Sequence, residues 1–236
     1  MDLTEVFLEY QKKGFELEFV SHLKSGKEAD VCLVYETNQK KDLALKVYKD
    51  NQNFSYKLYN PYLENVRINP KFKKMVKTKT FRGRKYMSTL RTLREFEVMK
   101  RNIYDSQDIA KIPKPISYSN NTILMDFIGK NRLPAPRLQG FVLDTTQAEF
   151  FFVQIFNFIK KLYQNKIVHS DLSPFNILIF ENNSYIIDFP QAVEIKVNPN
   201  WKDFLARDLN NLYTFFKKYL NPEEYEIYSE LLAITK

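Results

Sequence analysis

The order of apolar and polar positions predicts strands early in the chain and helices late. Thr4–Lys13 carries Val6, Phe7 and Tyr10 at helical spacing and predicts a short amphipathic helix. Phe15–Val20 alternates apolar and polar residues, as a strand does. Val31–Tyr35 and Leu43–Tyr48 are apolar runs of strand length separated by the polar turn Glu36–Asp42. Leu90–Arg101 places Leu93 and Phe96, with Leu90 and Met99, on one helical face. Pro113 and Pro115 impose an extended stretch. Thr122–Met125 reads as a buried strand, Asp126–Gly129 as a hinge, and Pro134 and Pro136 as marks of a surface loop. Thr146–Gln164 has Phe150, Phe151, Val153, Phe156, Ile159 and Leu162 nearly all round, which predicts a core helix. Trp201–Leu220 is a last amphipathic helix.

The chemistry gathers in two places. The run Ile167–Leu178 (IVHSDLSPFNIL) sets Asp171 five residues before Asn176. A turn through Glu181, Asn182 and Asn183 follows, and the apolar run Tyr185–Ile187 then delivers Asp188. Asp and Asn are ordinary turn residues, so a lone D-x4-N says little. With the apolar strand before it and the hairpin after it, the pattern presents a carboxylate and an amide oxygen side by side. Hard oxygen ligands with open positions suit Mg²⁺, which favours one or two carboxylates plus phosphates and water. Asp171 beside them is placed to orient or deprotonate an attacking hydroxyl, the catalytic half of a kinase.

The second place is Ser25-Gly26-Lys27-Glu28. It lacks the upstream Gly of a Walker A loop, and Glu28 stands where that motif needs Ser or Thr. Val31 comes five residues after Gly26, however, and Lys46 fifteen residues after Val31. That spacing matches a phosphate-covering hairpin with a valine on the purine and a strand lysine below the phosphates. A lysine amid the apolar Leu43–Val47 needs an acid, because an unpaired buried ammonium is costly. Glu95 and Glu97 on the following helix are the available partners.

Composition narrows the setting. At 236 residues, 44% hydrophobic, the chain can bury a real core. No apolar run approaches the ~18 residues of a membrane span, and Met1–Glu5 lacks the layout of a signal peptide. A single cysteine, Cys32, suits a reducing compartment, so the expected location is cytoplasmic. One Cys and two His leave little for a structural zinc site. The net charge of +8 has its source in Asn65–Lys85, which holds nine Lys or Arg and no acid. That segment is either a phosphate- or nucleic-acid-facing surface or a solvated insertion.

Taken together, these motifs resemble the RIO family of atypical protein kinases, closest to its type-1 branch. The resembling stretches are Ser25–Ala29, Lys74–Thr78, Phe127–Lys130, Leu133–Pro136, Val168–Ser173 and Ile187–Val193, in family order from about residue 15 to 220. The resemblance implies an α+β, bilobal protein-kinase-like fold without a full activation segment. Its β-rich N-lobe would span about 1–125, its hinge 126–129 and its mainly helical C-lobe 130–236. It also implies ATP and Mg²⁺ (or Mn²⁺) as cofactors and transfer of the γ-phosphate to a protein Ser or Thr, to the protein itself, or to water. By that resemblance Lys46 holds the phosphates with Glu95 as its partner, and Ser25, Gly26 and Lys27 form the phosphate loop. Val31, Ala44, Met125, Phe127, Ile128, Leu178 and Ile187 line the adenine site. Asp171 is the catalytic aspartate, and Asn176 and Asp188 hold the metal.

The resemblance also links the chain to maturation of the small ribosomal subunit, but the type-1 loop has a hydroxyl pair where this chain has Lys24-Ser25, a departure that bears on that duty. Two other readings compete. One is a kinase-like small-molecule phosphotransferase, although such enzymes devote a large C-terminal region to the acceptor and 48 residues follow Asp188 here. The other is a nucleotide-gated ribosome- or RNA-binding assembly factor that acts as an ATPase and makes contact through segment 65–85. The acceptor and the oligomeric state are not legible in the residues.

Overall fold

The computed structural model describes residues 3–49, 74, 80–221 and 225–235. Apart from Lys74, the basic stretch from Asn65 to Lys79 lies outside these residues, and so does the rest of the Lys74–Thr78 motif. Two compact units are present: residues 1–100 with 114–134, and residues 101–113 with 135–236.

In the first unit, α1 (Thr4–Gln11) leads into β1 (Leu17–Ser25), β2 (Ala29–Glu36) and β3 (Lys41–Tyr48). Helix α2 (Phe81–Arg101) follows, then β4 (Pro115–Ser119) and β5 (Thr122–Asp126). The five strands form one antiparallel sheet in the order β1-β2-β3-β5-β4. Register sorts its side chains, because residues directly opposite each other share a face. Cys32, Val34, Leu43, Leu45, Val47 and Leu124 form one face, which packs with Leu3 and Tyr10 of α1. The other face carries Tyr48 and Ile123, packed with Phe96 of α2. With both faces covered, β3 reads as an almost unbroken apolar run rather than an alternation, and its six residues from Leu43 to Tyr48 are all buried. The lone lysine in that run, Lys46, is therefore inside.

Helix α2 begins at Phe81, nine residues before the apolar stripe that predicts it. Its first two turns, residues 81–89, mix Arg82, Gly83, Arg84, Lys85, Ser88 and Thr89 with few apolar residues, which gives little apolar periodicity. Strand β4 begins at Pro115, where a missing N–H is tolerated at the first residue of an edge strand. After β5 the chain forms a small hairpin, β6 (Gly129–Lys130) with β7 (Leu133–Pro134). Asn131 and Arg132 both take positive φ at its tip, the geometry of a two-residue type I′ turn. A Cβ at Gly129 would run into the Leu133 carbonyl and the Phe127 ring, so only glycine lets the chain pass there.

The second unit is built on α3 (Thr145–Gln164), started by a capping box between Asp144 and Gln147. Its buried side includes Phe151, Phe152, Ile155, Phe156, Phe158, Ile159 and Leu162. Phe150 and Val153 are exposed, at 42% and 43%, so the helix has an open face and is not apolar-buried all round. Two short hairpin-like pairs follow. β8 (Ile167–Val168) pairs with β11 (Val193–Glu194), and β9 (Ile177–Phe180) pairs with β10 (Asn183–Ile186). Helices α4 (Trp201–Phe216) and α5 (Glu226–Ala233) complete the unit. Among the described residues no helix is long and apolar enough to cross a membrane.

Candidate active site

The first unit brings the residues expected to meet the nucleotide together on the face of the sheet that packs against α2. Val31 stands opposite Lys46, Leu33 opposite Ala44, and Ala44 opposite Met125. Val31, Ala44, Lys46 and Met125 thus share one face. Lys46 Nζ lies 2.8 Å from Glu95 Oε1, with side-chain exposures of only 7% and 1%. Of the two acids available to Lys46, Glu95 is the one it meets. The Tyr48 hydroxyl donates to Glu95 Oε2, so each oxygen of this buried carboxylate has a donor. Phe127 and Ile128 follow β5, both half-buried, and Asp126 is paired with Lys41 at 2.7 Å.

The Ser25–Asp30 turn is fastened more tightly than its composition suggests. The Gly26 amide donates to the Ala29 carbonyl at 3.0 Å, and a Cβ on Gly26 would stand 2.9 Å from that oxygen. The Ser25 hydroxyl donates to Asp30 Oδ1 at 2.6 Å. Lys49 Nζ reaches Asp30 Oδ1 at 2.8 Å and donates to the Gly26 carbonyl at 2.9 Å. Lys27 is exposed on the turn. Lys49, Tyr48 and Arg91, which pairs with Glu28, were not foreseen. The one sequence signal for Arg91 is its place four residues before Glu95 on the same helix face.

The second unit carries Asp171, Asn176 and Asp188, the residues expected to meet the acceptor and the metal. Between β9 and β10 the turn residues Glu181 and Asn182 both have positive φ, a type I′ turn that fixes the register of the pair. The Ile187 amide then donates to the Asn176 carbonyl at 3.0 Å. This locks Asn176, just before β9, opposite Ile187, just after β10, and Asp188 comes next. Leu178 lies on β9, half-buried. Asn176 Nδ2 donates to the Asp171 carbonyl at 2.9 Å and approaches Asp171 Oδ2 at 3.4 Å. That commits the amide nitrogen inward, so Oδ1 is the end that would face a cation. Asp188 sits at φ +73°, outside the usual range for a side-chain-bearing residue. Phe189 after it is buried, with its ring 4.7 Å from His169 and 6.3 Å from Phe158.

Beneath this loop lies Asp208 of α4, 1% exposed. Its Oδ2 accepts from the Ser170 amide at 2.8 Å and its Oδ1 from the Leu172 amide at 2.9 Å. Arg207 donates to the Ser170 carbonyl, and Asn211 Nδ2 to the Leu172 carbonyl at 3.1 Å. Ser170 itself has φ +60°. One turn of α4 thus pins the backbone on both sides of Asp171.

Burial pushes the Asp208 carboxyl up to about 7, against the pull of the Leu172 and Ser170 amides and Arg207. Between about pH 4 and 7 the folded protein therefore holds a proton that the unfolded chain has released. The stability this group contributes falls as pH rises through that window and is lowest above 7. Both bonds to the loop are fully charge-assisted only above 7. Activity should fall on the acid side with an apparent pKa near 7, while the melting temperature does not fall with it. Asp208→Asn should remove that limb. A pH–rate profile recorded beside thermal melts checks both signs.

The donor set fits a hard divalent cation. Asp188 would supply a carboxylate and Asn176 a neutral oxygen. A hard divalent cation accepts such a sparse set when phosphates and water fill the rest.

Comparisons with known proteins agree with this chemistry. The family model described as RIO domain matches residues 31–228. The chain is 31% identical over 216 residues to Serine/threonine-protein kinase RIO1 of Caenorhabditis elegans, covering 88% of this chain and 38% of that protein. The same comparison with Serine/threonine-protein kinase RIO1 of Homo sapiens gives 30% over 216 residues, 88% of this chain and 34% of that protein. It is 32% identical over 220 residues to RIO-type serine/threonine-protein kinase Rio2 of Methanocaldococcus jannaschii, covering 92% of this chain and 74% of that protein. The chain thus spans little more than a third of the length of the two RIO1 relatives. With the buried Lys46–Glu95 pair, the Asp171–Asn176 loop and the family match in agreement, the chain belongs to the RIO domain family.

Proposed function

We propose that this chain is an ATP- and Mg²⁺-dependent phosphotransferase of the serine/threonine-protein-kinase type. It would be a single RIO-type domain with an N-lobe of about 1–125, a hinge at 126–129 and a C-lobe of 130–236. The observation that carries the reading is Lys46 buried against Glu95. A charged pair taken out of water is a poor way to gain stability, and a strand of this kind would pack better with an apolar residue there. Its use is to hold an ammonium at a fixed point for phosphate. Lys46 would bind and orient the phosphates, and the Ser25–Lys27 turn would cover them through backbone N–H groups. Asp171 would accept the hydroxyl proton of the acceptor, held in place by Asn176 and by the loop that Asp208 anchors. Asp188 and Asn176 would hold Mg²⁺ (or Mn²⁺), which supplies charge stabilisation at the transferring phosphoryl group.

The acceptor is a protein Ser or Thr, the protein itself, or water. The relatives, which are serine/threonine-protein kinases by name, favour the first. A protein or ribonucleoprotein partner engaging segment 65–85 belongs to the same proposal, as does a cytoplasmic location, supported by the single cysteine. Incubation with γ-labelled ATP, metal and a mixed peptide set, with and without RNA, separates the alternatives. Label on Ser or Thr is expected. Free phosphate released only with RNA would favour an assembly ATPase, and label on a small alcohol or amine would favour a small-molecule phosphotransferase.

Pro190 adds a consequence for inhibitors. Proline fixes its own φ near −65° and biases Phe189 toward extended backbone, and Phe189 is already buried against His169. Asp188 is thereby held in one orientation. Compounds that require it rotated outward should bind the unmutated protein at least about tenfold more weakly than Pro190→Gly, a difference of about 1.4 kcal/mol. Competition against ATP measures this directly. Equal affinity for both proteins would show that Pro190 imposes no such restraint.

A further inference from the structure

Arg91 of α2 is buried, with 4% of its side chain exposed, and ion-paired with Glu28 of the glycine turn. Its guanidinium carbon lies 4.2 Å from the centroid of the Tyr48 ring. The Tyr48 hydroxyl donates to Glu95, and Glu95 holds Lys46. We infer that Arg91 is a positioning residue that fastens the glycine turn to the helix carrying Glu95, so that covering the phosphates and aligning Lys46 occur together. The inference rests on reading this unit as nucleotide-binding.

Stability does not ask for a cation here. Burying a guanidinium is costly, and its ion pair with Glu28, which is 47% exposed, offsets little of that cost. An apolar side chain could cover the Tyr48 ring without that penalty. Only a long, forked cation both stacks on the ring and reaches the turn.

The turn's other fastener works differently. Lys49 extends from the end of β3, in the same sheet as both flanks of the turn. It holds the turn whatever α2 does. Arg91 and Glu95 are four residues apart on one helix, one turn along the same face. A displacement of α2 that draws Glu95 from Lys46 also draws Arg91 from Glu28. The turn, the helix and Lys46 thus have one shared setting, built from Glu28, Arg91, Tyr48 and Glu95.

The test is a double-mutant cycle on ATP binding, with kcat and KM for ATP and melting temperature measured on every protein. Arg91→Met removes the charge while keeping a packing side chain. Glu28→Gln changes an exposed position and keeps the experiment informative if the first variant folds poorly. Each single variant should weaken ATP binding about tenfold, as loss of a charged hydrogen bond would. The double variant should be no weaker than either single, and kcat should fall alongside the rise in KM. Arg91→Met should melt no lower than the unmutated protein, which a purely structural role for Arg91 would not allow. If the unmutated protein binds ATP and the singles bind it equally well, or their losses simply add, the coupling is wrong and the nucleotide reading stands. If the unmutated protein does not bind ATP, the nucleotide reading fails and this inference with it.

Discussion

Replacing Asp171 with Ala should reduce phosphotransfer by at least about 10³-fold and leave ATP affinity within about twofold of the unmutated value. Asp171 is half-buried in the loop between β8 and β9, its carbonyl and one carboxylate oxygen facing Asn176 Nδ2. Its proposed duty is to the acceptor hydroxyl and not to the nucleotide. Asp188→Ala should behave differently and lose both binding and turnover, because it removes the charged ligand of the metal that bridges to phosphate. Single-turnover transfer from γ-labelled ATP, measured beside equilibrium ATP binding, separates the two variants. Near-normal turnover in Asp171→Ala would remove Asp171 from its role. An ATP affinity lost equally in both variants would mean that the division of labour between them is misassigned.

The second large effect is expected at Glu95. It is 2% exposed and its two oxygens accept from Lys46 and from Tyr48. Glu95→Ala removes the carboxylate that both the Lys46 ammonium and the Tyr48 hydroxyl meet, beside Phe96 and Ile123. Breaking a buried pair by removing one partner costs about 3–5 kcal/mol, a large part of the stability of a domain this size. Lys46→Met leaves the buried Glu95 carboxylate with the Tyr48 hydroxyl and able to take up a proton, so it should destabilise less, while abolishing phosphate binding just as fully. Denaturant melts of the two variants check the order. A Glu95→Ala protein as stable as Lys46→Met would show that Lys46 finds another acid at little penalty.

Much of this was legible because the chemistry rests on rigid, patterned elements. The apolar run Leu43–Tyr48 exposes Lys46 as an anomaly in any alignment of faces, and register then places Val31 and Ala44 beside it. Asp171, Asn176 and Asp188 are readable because a two-residue turn fixes how far apart the strands hold them. Asp208 follows the same logic: beside Leu205 and Leu209 on a buried helix face an acid needs donors, and it meets two backbone amides.

What escaped was polar and long-range. Arg91 lies in a stretch of α2 where basic residues hide the helical period, and nothing local says that its partner is 63 residues away at Glu28. Lys49 reads as an ordinary lysine ending a strand, although it holds Asp30 and the Gly26 carbonyl. The open side of α3 was missed because Phe150 and Val153 look like core residues, and composition cannot say which part of an apolar helix finds neighbours.

The most direct measurement is a crystal structure of the protein with a non-hydrolysable ATP analogue and Mg²⁺. The expected result places Lys46 Nζ on phosphate oxygens with Glu95 still paired to it. It also places the metal on Asp188 and Asn176 Oδ1, with Asp171 clear of the nucleotide. An analogue bound elsewhere, or a metal held without Asp188 and Asn176, would contradict the assignment of these residues to phosphoryl transfer.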